Sequence, residues 1–265
     1  GRRTLIMGIL NTTPDSFSDG APRSTDEYVG IGMRLVDDGA DIVDVGGEST
    51  RPGAEPVALD EELARTVPVI RGIRARSKIP ISIDTSKAEV AREALAAGAD
   101  MINDVTALRG DPDMAAVAAE AGCPLVLMHM LGTPRTMQED PRYDDVVGDI
   151  SGFLRERIRA AAAAGIEETN IIVDPGIGFG KKLQHNLEIL NRLKEFAALG
   201  RPILVGPSRK SFIGMILDQP SDQRVEGTLA AVAICVMNGA WIIRVHDVRE
   251  TVRAVWVAEA IMRGR

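Results

Sequence analysis

Short apolar runs separated by amphipathic stretches set the rhythm of this chain. Gly39-Ala40-Asp41 leads into Ile42-Val43-Asp44-Val45, Gly98-Ala99-Asp100 into Met101-Ile102-Asn103-Asp104, and Gly122-Cys123-Pro124 into Leu125-Val126-Leu127-Met128. Gly165 precedes Ile171-Ile172-Val173, Gly200 precedes Ile203-Leu204-Val205, and Gly239 precedes Ile242-Ile243. The runs are continuous rather than alternating, the pattern of strands buried on both faces. A glycine ahead of each run suits the left-handed position that ends a helix. Thr4–Leu10 and Ile79–Ile83 complete a set of eight strands. Helical patterns fall between them over Thr25–Asp38, Leu59–Arg76, Ala88–Ala97, Asp113–Ala121, Asp145–Ala164, His185–Leu199, Glu226–Asn238 and Val248–Met262. Eight βα units within 265 residues predict an α/β fold, a closed (β/α)8 TIM barrel forming a single domain over residues 1–265. An open doubly wound sheet is the structural alternative. No linker or low-complexity segment interrupts the pattern.

Composition narrows the function. Hydrophobic residues make up 45% and charged residues 26%, the balance of an ordinary globular protein. Aromatics at 3% predict an aliphatic core and suit base-stacking surfaces poorly. A net charge of −7 argues against nucleic acid, whose binding rests on phosphate contacts, but not against a small anion held by a few local cations. Cys123 and Cys235 have no metal-ligand spacing and lie beside core segments, which predicts reduced thiols and a cytoplasmic protein. No apolar run reaches membrane-spanning length and no signal peptide opens the chain, so no membrane partner is expected. Gly1 stands almost directly before the first strand, which leaves a trimmed natural N-terminus open.

Polar residues gather where the strands end. The first ends at Asn11, the second near Asp44 and the third at Asp84; the fourth carries Asn103 and Asp104, the fifth ends at His129 and the sixth at Asp174. The seventh leads to Ser208-Arg209-Lys210-Ser211, and the eighth to Arg244-Val245-His246-Asp247. This is the rim on which β/α barrels build active sites. An Asp after a strand can simply cap the next helix, a reading that stays open for Asp44, Asp104 and Asp247. Capping alone does not produce so many polar strand ends on one rim. Two loops there, Asn11 to Gly20 and Gly46-Gly47-Glu48-Ser49-Thr50-Arg51-Pro52-Gly53, are long and rich in Gly, Pro and hydroxyl residues, as functional loops are. Gly176-Ile177-Gly178-Phe179-Gly180-Lys181 lacks the Ser or Thr of a Walker loop, since Lys182 follows, and its spacing misses the dinucleotide fingerprint. It reads as a flexible turn that clears space above Asp174.

Taken together, Met7-Gly8-Ile9-Leu10-Asn11 with Thr13-Pro14-Asp15-Ser16-Phe17-Ser18-Asp19-Gly20, the second loop, Ile83-Asp84-Thr85, Ile102-Asn103-Asp104-Val105, Met128-His129, the Asp174–Lys181 stretch, Ser208-Arg209-Lys210-Ser211 and Arg244-Val245-His246-Asp247 resemble the dihydropteroate synthase family of pterin-binding barrels. The resemblance runs from Gly8 to Val248. It implies a transferase of folate biosynthesis that joins p-aminobenzoate to (7,8-dihydropterin-6-yl)methyl diphosphate and releases diphosphate. It further implies that Asp84, Asn103, Asp174 and Lys210 hold the pterin. Asn11, Thr50, Arg51, Arg244 and His246 would hold the diphosphate, and Asn11 would also reach Mg2+. Thr50, Pro52, Phe179, Lys210 and Ser211 would shape the p-aminobenzoate pocket. Arg51, Lys210, Arg244 and His246 would be the catalytic set, and the resemblance suggests a sulfonamide-binding homodimer built from late helices. Thr12 stands where the family often has Val, and Ala21 where a second Gly is usual.

The chemistry of the residues agrees with these roles. A carboxylate such as Asp174 can accept two adjacent N–H bonds from a guanidine-like pterin edge, and Asn103 can donate and accept together. Arg51 and Arg244 offer forked donors to diphosphate oxygens, and an amide oxygen suits Mg2+. A pterin-dependent methyltransferase would not need the arginine and histidine clamp. A non-catalytic pterin-binding module would be expected to lose it. A Schiff-base aldolase would need an apolar pocket to depress Lys210, and no such pocket is legible nearby. His185 reads as a surface or capping residue and His129 as packing or rim. The methionines read as core, and Trp241 and Trp256 as helix packing or a subunit contact.

Overall fold

A computed structural model describes residues 3–13, 23–51, 53–133 and 135–264. The eight apolar runs form β1 (Leu5–Asn11), β2 (Ile42–Gly46), β3 (Ile81–Asp84), β4 (Met101–Asp104), β5 (Leu125–Met128), β6 (Ile171–Asp174), β7 (Leu204–Val205) and β8 (Ile242–Val245). All pair in parallel, in the order β6-β5-β4-β3-β2-β1-β8-β7. One further parallel bridge, Val173 to Ile203, joins the two ends of that order and closes the ring. The glycines ahead of the strands take positive φ, from 60° at Gly122 to 113° at Gly98, which no side chain tolerates easily.

Alternation along each strand divides the barrel interior into layers. Met7, Ile42, Met101, Val126, Ile172, Leu204 and Ile242 pack as one buried cluster, with one residue from every strand except β3. Side chains two positions on share the same face, so above this plug stand Asp44, Asn103, Asp174 and Arg244, with Asp84 above buried Ser82 on β3. The polar strand ends thus point inward, over an apolar floor. The opposite strand faces pack in a larger aliphatic core under α1 (Thr25–Asp37), α2 (Leu59–Arg74), α3 (Ala88–Ala96), α4 (Met114–Ala121), α5 (Val146–Ala163), α6 (Leu183–Asn191), α7 (Ser211–Leu217), α8 (Val225–Met237) and α9 (Val248–Arg263).

Two elements differ from the sequence reading. The stretch expected as one helix over His185–Leu199 is α6 followed by a 3-10 segment, Leu193–Leu199. Its apolar residues recur every three positions, Leu193, Phe196 and Leu199, which suits three residues per turn and buries the first two completely. The short helix α7 lacks any amphipathic signal, because Met215, Ile216 and Leu217 are all exposed.

Candidate active site

Arg244 is the hub of the inward-facing polar layer. Its Nε donates to Asp44 Oδ2 at 2.6 Å and its Nη2 to Asp84 Oδ2 at 2.6 Å. Asn103 Nδ2 donates to the same Asp44 oxygen at 3.3 Å. Burial disfavours the Arg244 charge, but the two carboxylates outweigh it and hold the pKa above the ordinary value. Burial pushes Asp84 up to about 7 against the pull of Arg244. Asp44 has no exposed surface and caps nothing, so the helix-capping reading fails for it. Asp104 keeps that bland reading in altered form: its oxygens accept from Thr106 N at 2.8 Å, Thr106 Oγ1 at 2.6 Å and Leu108 N at 2.7 Å. It thereby holds a turn whose Ala107 and Leu108 have φ of 53° and 63°.

Asp174 stands across the opening from that hub. Its Oδ1 accepts the Gly176 N–H at 2.7 Å, and burial pushes its carboxyl up to about 6. Lys210 lies beside it after β7, with Nζ 4.0 Å from the centre of the Phe179 ring. That ring packs on Val105, Met128, Met130 and Met137, so the methionines at this end form a wall of the opening as well as core. Burial pulls Lys210 down to about 8, with Arg244 adding to it and Asp174 opposing. This corrects the expectation that nothing near Lys210 depresses its pKa: the apolar surface comes from Phe179, distant in sequence.

The glycine turn is not flexible spacing. Its φ at Gly176 is +69°, and a Cβ there would fall 1.9 Å from the His129 carbonyl oxygen. Gly178 N–H donates to Asn186 Oδ1 at 2.7 Å, and Tyr143 Oη to Gly180 O at 2.7 Å. Lys181 is buried inside the turn, with Nζ 2.8 Å from Phe179 O and 3.0 Å from His129 Nδ1. Burial pulls Lys181 to about 7 and His129 to about 2. Of its two readings His129 takes packing, being buried and set edge-on to Phe153 at 4.9 Å. His185 caps α6, accepting Lys182 N–H at Nδ1 at 3.1 Å.

The remaining candidates line the rim. His246 Nδ1 is 2.9 Å from Ser208 Oγ. Arg209 does not enter the opening; it forks onto Asp247 at 2.5 and 3.0 Å. Asn11 is exposed at the end of β1, in register with Gly46. The unusual Thr12 is buried and donates its hydroxyl to Gly46 O at 3.1 Å, tying the base of the first loop to β2. In the second loop Thr50 is half-buried and Arg51 exposed. The base of that loop is held by Lys87, which pairs with Glu48 and, at 2.5 Å, with buried Glu62. Ser211 opens α7 and is exposed. No described contact joins Thr50, Arg51 or Ser211 to the hub. Pro52 and residues 14–22 lie outside the described residues.

Asp84, Asn103, Asp174, Lys210, Arg244 and His246 are thus gathered at one end of the barrel, as expected. In the sequence, Asp44 and Ser208 stand among the polar strand ends with no role given in the site, and Lys181 reads only as part of the glycine turn. Asp44 was visible as the i+2 partner of the floor residue Ile42, the same offset that marks Asn103 and Asp174. A cavity of about 330 Å³ at the opposite end is lined by Thr4, Trp241 and Glu259 among others. Its Glu259 is already engaged by Thr4 N–H at 2.6 Å and Arg263 at 2.8 Å, so the reactive groups lie elsewhere.

The pterin binding enzyme family model matches residues 7–246. The chain belongs to this family. A dihydropteroate synthase of Synechocystis sp. is 50% identical, the match covering 99% of this chain and 92% of that one. A Yersinia pestis dihydropteroate synthase solved with a sulfonamide drug complex superposes with a TM-score of 0.95 at 47% identity, covering 98% and 95% of the two chains. A Xanthomonas albilineans dihydropteroate synthase with 4-aminobenzoic acid does so with a TM-score of 0.92 at 47% identity, covering 98% and 93%. Within the family this chain falls with the dihydropteroate synthases, which are transferases of folate biosynthesis. Among the described residues no helix is long and apolar enough to cross a membrane.

Proposed function

We propose that the chain condenses p-aminobenzoate with (7,8-dihydropterin-6-yl)methyl diphosphate to give 7,8-dihydropteroate and diphosphate, by dissociative substitution. The observation that carries this reading is the gathering of hydrogen-bond acceptors and cations around one barrel mouth. Acceptor groups (Asp84, Asn103, Asp174) and cationic ones alternate around it: Arg244 is bonded to Asp84, Lys210 stands beside Asp174 over the Phe179 ring, and His246 lies next to them. Asp174 takes the guanidine-like edge of the pterin with Oδ2 and with the lone pair that Gly176 leaves on Oδ1, and Asn103 and Asp84 take its other polar atoms. Asn11, Thr50, Arg51, Arg244 and His246 hold the diphosphate, stabilising the charge that grows as it departs. Arg244 has donors left after its two carboxylate bonds, so it can bind the leaving group without releasing Asp44 and Asp84. Lys210, Phe179, Thr50, Pro52 and Ser211 orient the aniline, which is neutral near pH 7 and needs no strong base.

Mg2+ fits the donor set in one respect. Asn11 offers a hard amide oxygen, while no group of three acidic, His or Cys side chains able to hold a metal is found among the described residues. Such an ion would take its other ligands from diphosphate and water, and when bound it would neutralise leaving-group charge. The test is diphosphate release from the pterin diphosphate in the presence of p-aminobenzoate, with and without Mg2+. Binding without release would identify a pterin-binding module instead.

We also infer a homodimer and a cytoplasmic location. Supporting the first are exposed apolar side chains on neighbouring helices, Ile234 and Met237 on α8 with Trp256, Val257, Ile261 and Met262 on α9, since clustered exposed apolar groups mark association surfaces. Supporting the second are two buried free thiols.

A further inference from the structure

Ser208 lies in the turn after β7 with only 4% of its surface exposed. Its Oγ accepts the backbone N–H of His246 at 3.1 Å and lies 2.9 Å from the Nδ1 of the same residue. A hydroxyl has one hydrogen to give. No other acceptor is described within reach of this one, so its hydrogen is directed at Nδ1, which must then carry a lone pair. The opposite arrangement would aim two donors at Oγ and leave the buried hydroxyl hydrogen without a partner, which buried polar groups avoid.

We propose that Ser208 is a positioning residue that holds His246 as the neutral Nε2–H tautomer, so that the ring presents a donor to the departing diphosphate. This rests on the diphosphate role given to His246 above. Before diphosphate binds, the ring is also uncharged, because burial and the charges of Arg244 and Arg209 push its pKa down to about 3. The turn carrying Ser208 is itself fixed. Arg209, at φ 56°, donates its N–H to Thr228 Oγ1 at 3.0 Å and clamps Asp247, the residue after His246, with its guanidinium. Arg224 Nη1 donates to Arg209 O at 3.0 Å. The segments after β7 and β8 are thereby tied together, which keeps the Ser208 backbone beside the ring. The second-site partner of a histidine commonly sets which nitrogen bears the proton.

The tautomer is read directly by long-range proton–nitrogen correlation spectra of the full chain labelled at histidine nitrogen, with H246Q used to assign the signals among His129, His185 and His246. The expected spectrum shows Nδ1 unprotonated and Nε2 protonated. S208A should give a mixture of tautomers and lower kcat/KM for the pterin diphosphate by about 10- to 100-fold, with unchanged affinity for a pterin lacking diphosphate. S208T, which keeps a hydroxyl, should restore both the spectrum and the rate. A protonated Nδ1 in the unmodified chain, or an S208A spectrum identical to it, would overturn the proposal. An H246Q enzyme as fast as the unmodified one would instead remove the diphosphate role of the ring, whatever the spectrum shows.

Discussion

Asp174 has one carboxylate oxygen engaged by Gly176 N–H and one with no described partner, in surroundings that raise its pKa to about 6. Only the ionised form can accept two pterin N–H bonds. Through Asp174, pterin affinity should therefore fall about tenfold per unit below pH 6, as a group that binds ligand only when deprotonated requires, in addition to the effect of Asp84, which titrates near 7. Calorimetric titration with 6-hydroxymethylpterin across that range checks this, and a D174N chain should bind weakly with only the Asp84 part of that slope. Arg51 is the opposite kind of residue. It is exposed on its loop and makes no described contact with the hub, so R51A should leave the thermal midpoint and circular dichroism unchanged. If the arginine meets the leaving group only in the loaded enzyme, kcat/KM falls by about 10²- to 10³-fold, the loss typical of one charge-stabilising donor. A near-normal rate would remove Arg51 from the leaving-group clamp. The inward aspartates were legible as strand ends. The Asp44–Arg244–Asp84 pairing was not, because it joins residues 160 and 200 positions apart that only barrel closure brings together.

At the scale of elements, the eight strands and all but one of the eight helices predicted with them were readable because six of the apolar runs follow a glycine and 3.6-residue patterns lie between the runs. What stayed hidden were α7, which buries Phe212 and Ile213 but exposes Met215, Ile216 and Leu217, and the packing of the Gly176–Lys181 turn, which depends on His129 and Tyr143 from another unit. The tie between α2, α3 and the second loop was hidden for the same reason. Lys87 opens α3 and meets Glu62 of α2 and Glu48 of the loop, and Glu62 has a side chain only 1% exposed. Burial alone would lower the Lys87 pKa, but the two carboxylates keep it raised. Removing the cation strands a buried charge, so K87M should cost about 3–5 kcal/mol in denaturant unfolding. K87M/E62Q, which removes the stranded charge as well, should recover most of that. Failure of the double variant to recover would mean that Lys87 acts through packing.

For the whole molecule, the apolar surface of α8 and α9 predicts self-association. Sedimentation at micromolar concentration should give a dimer, and I261E with M237E, both at positions more than half exposed, should give a folded monomer. A monomeric unmodified chain would leave that surface to another partner. The last consequence lies in the joint between β6 and β7. Seven strand pairs have ladders of two to five residues, but this joint has the single Val173–Ile203 bridge. Asp174 is on one side of it and Lys210 on the other. A pterin gripping both would act as a clasp across the barrel's weakest joint. Amide deuterium exchange at Val173, which donates to Pro202 O at 2.9 Å, should slow on pterin binding by more than exchange at the β1–β2 ladder does. In that sense the substrate would complete the cylinder that binds it.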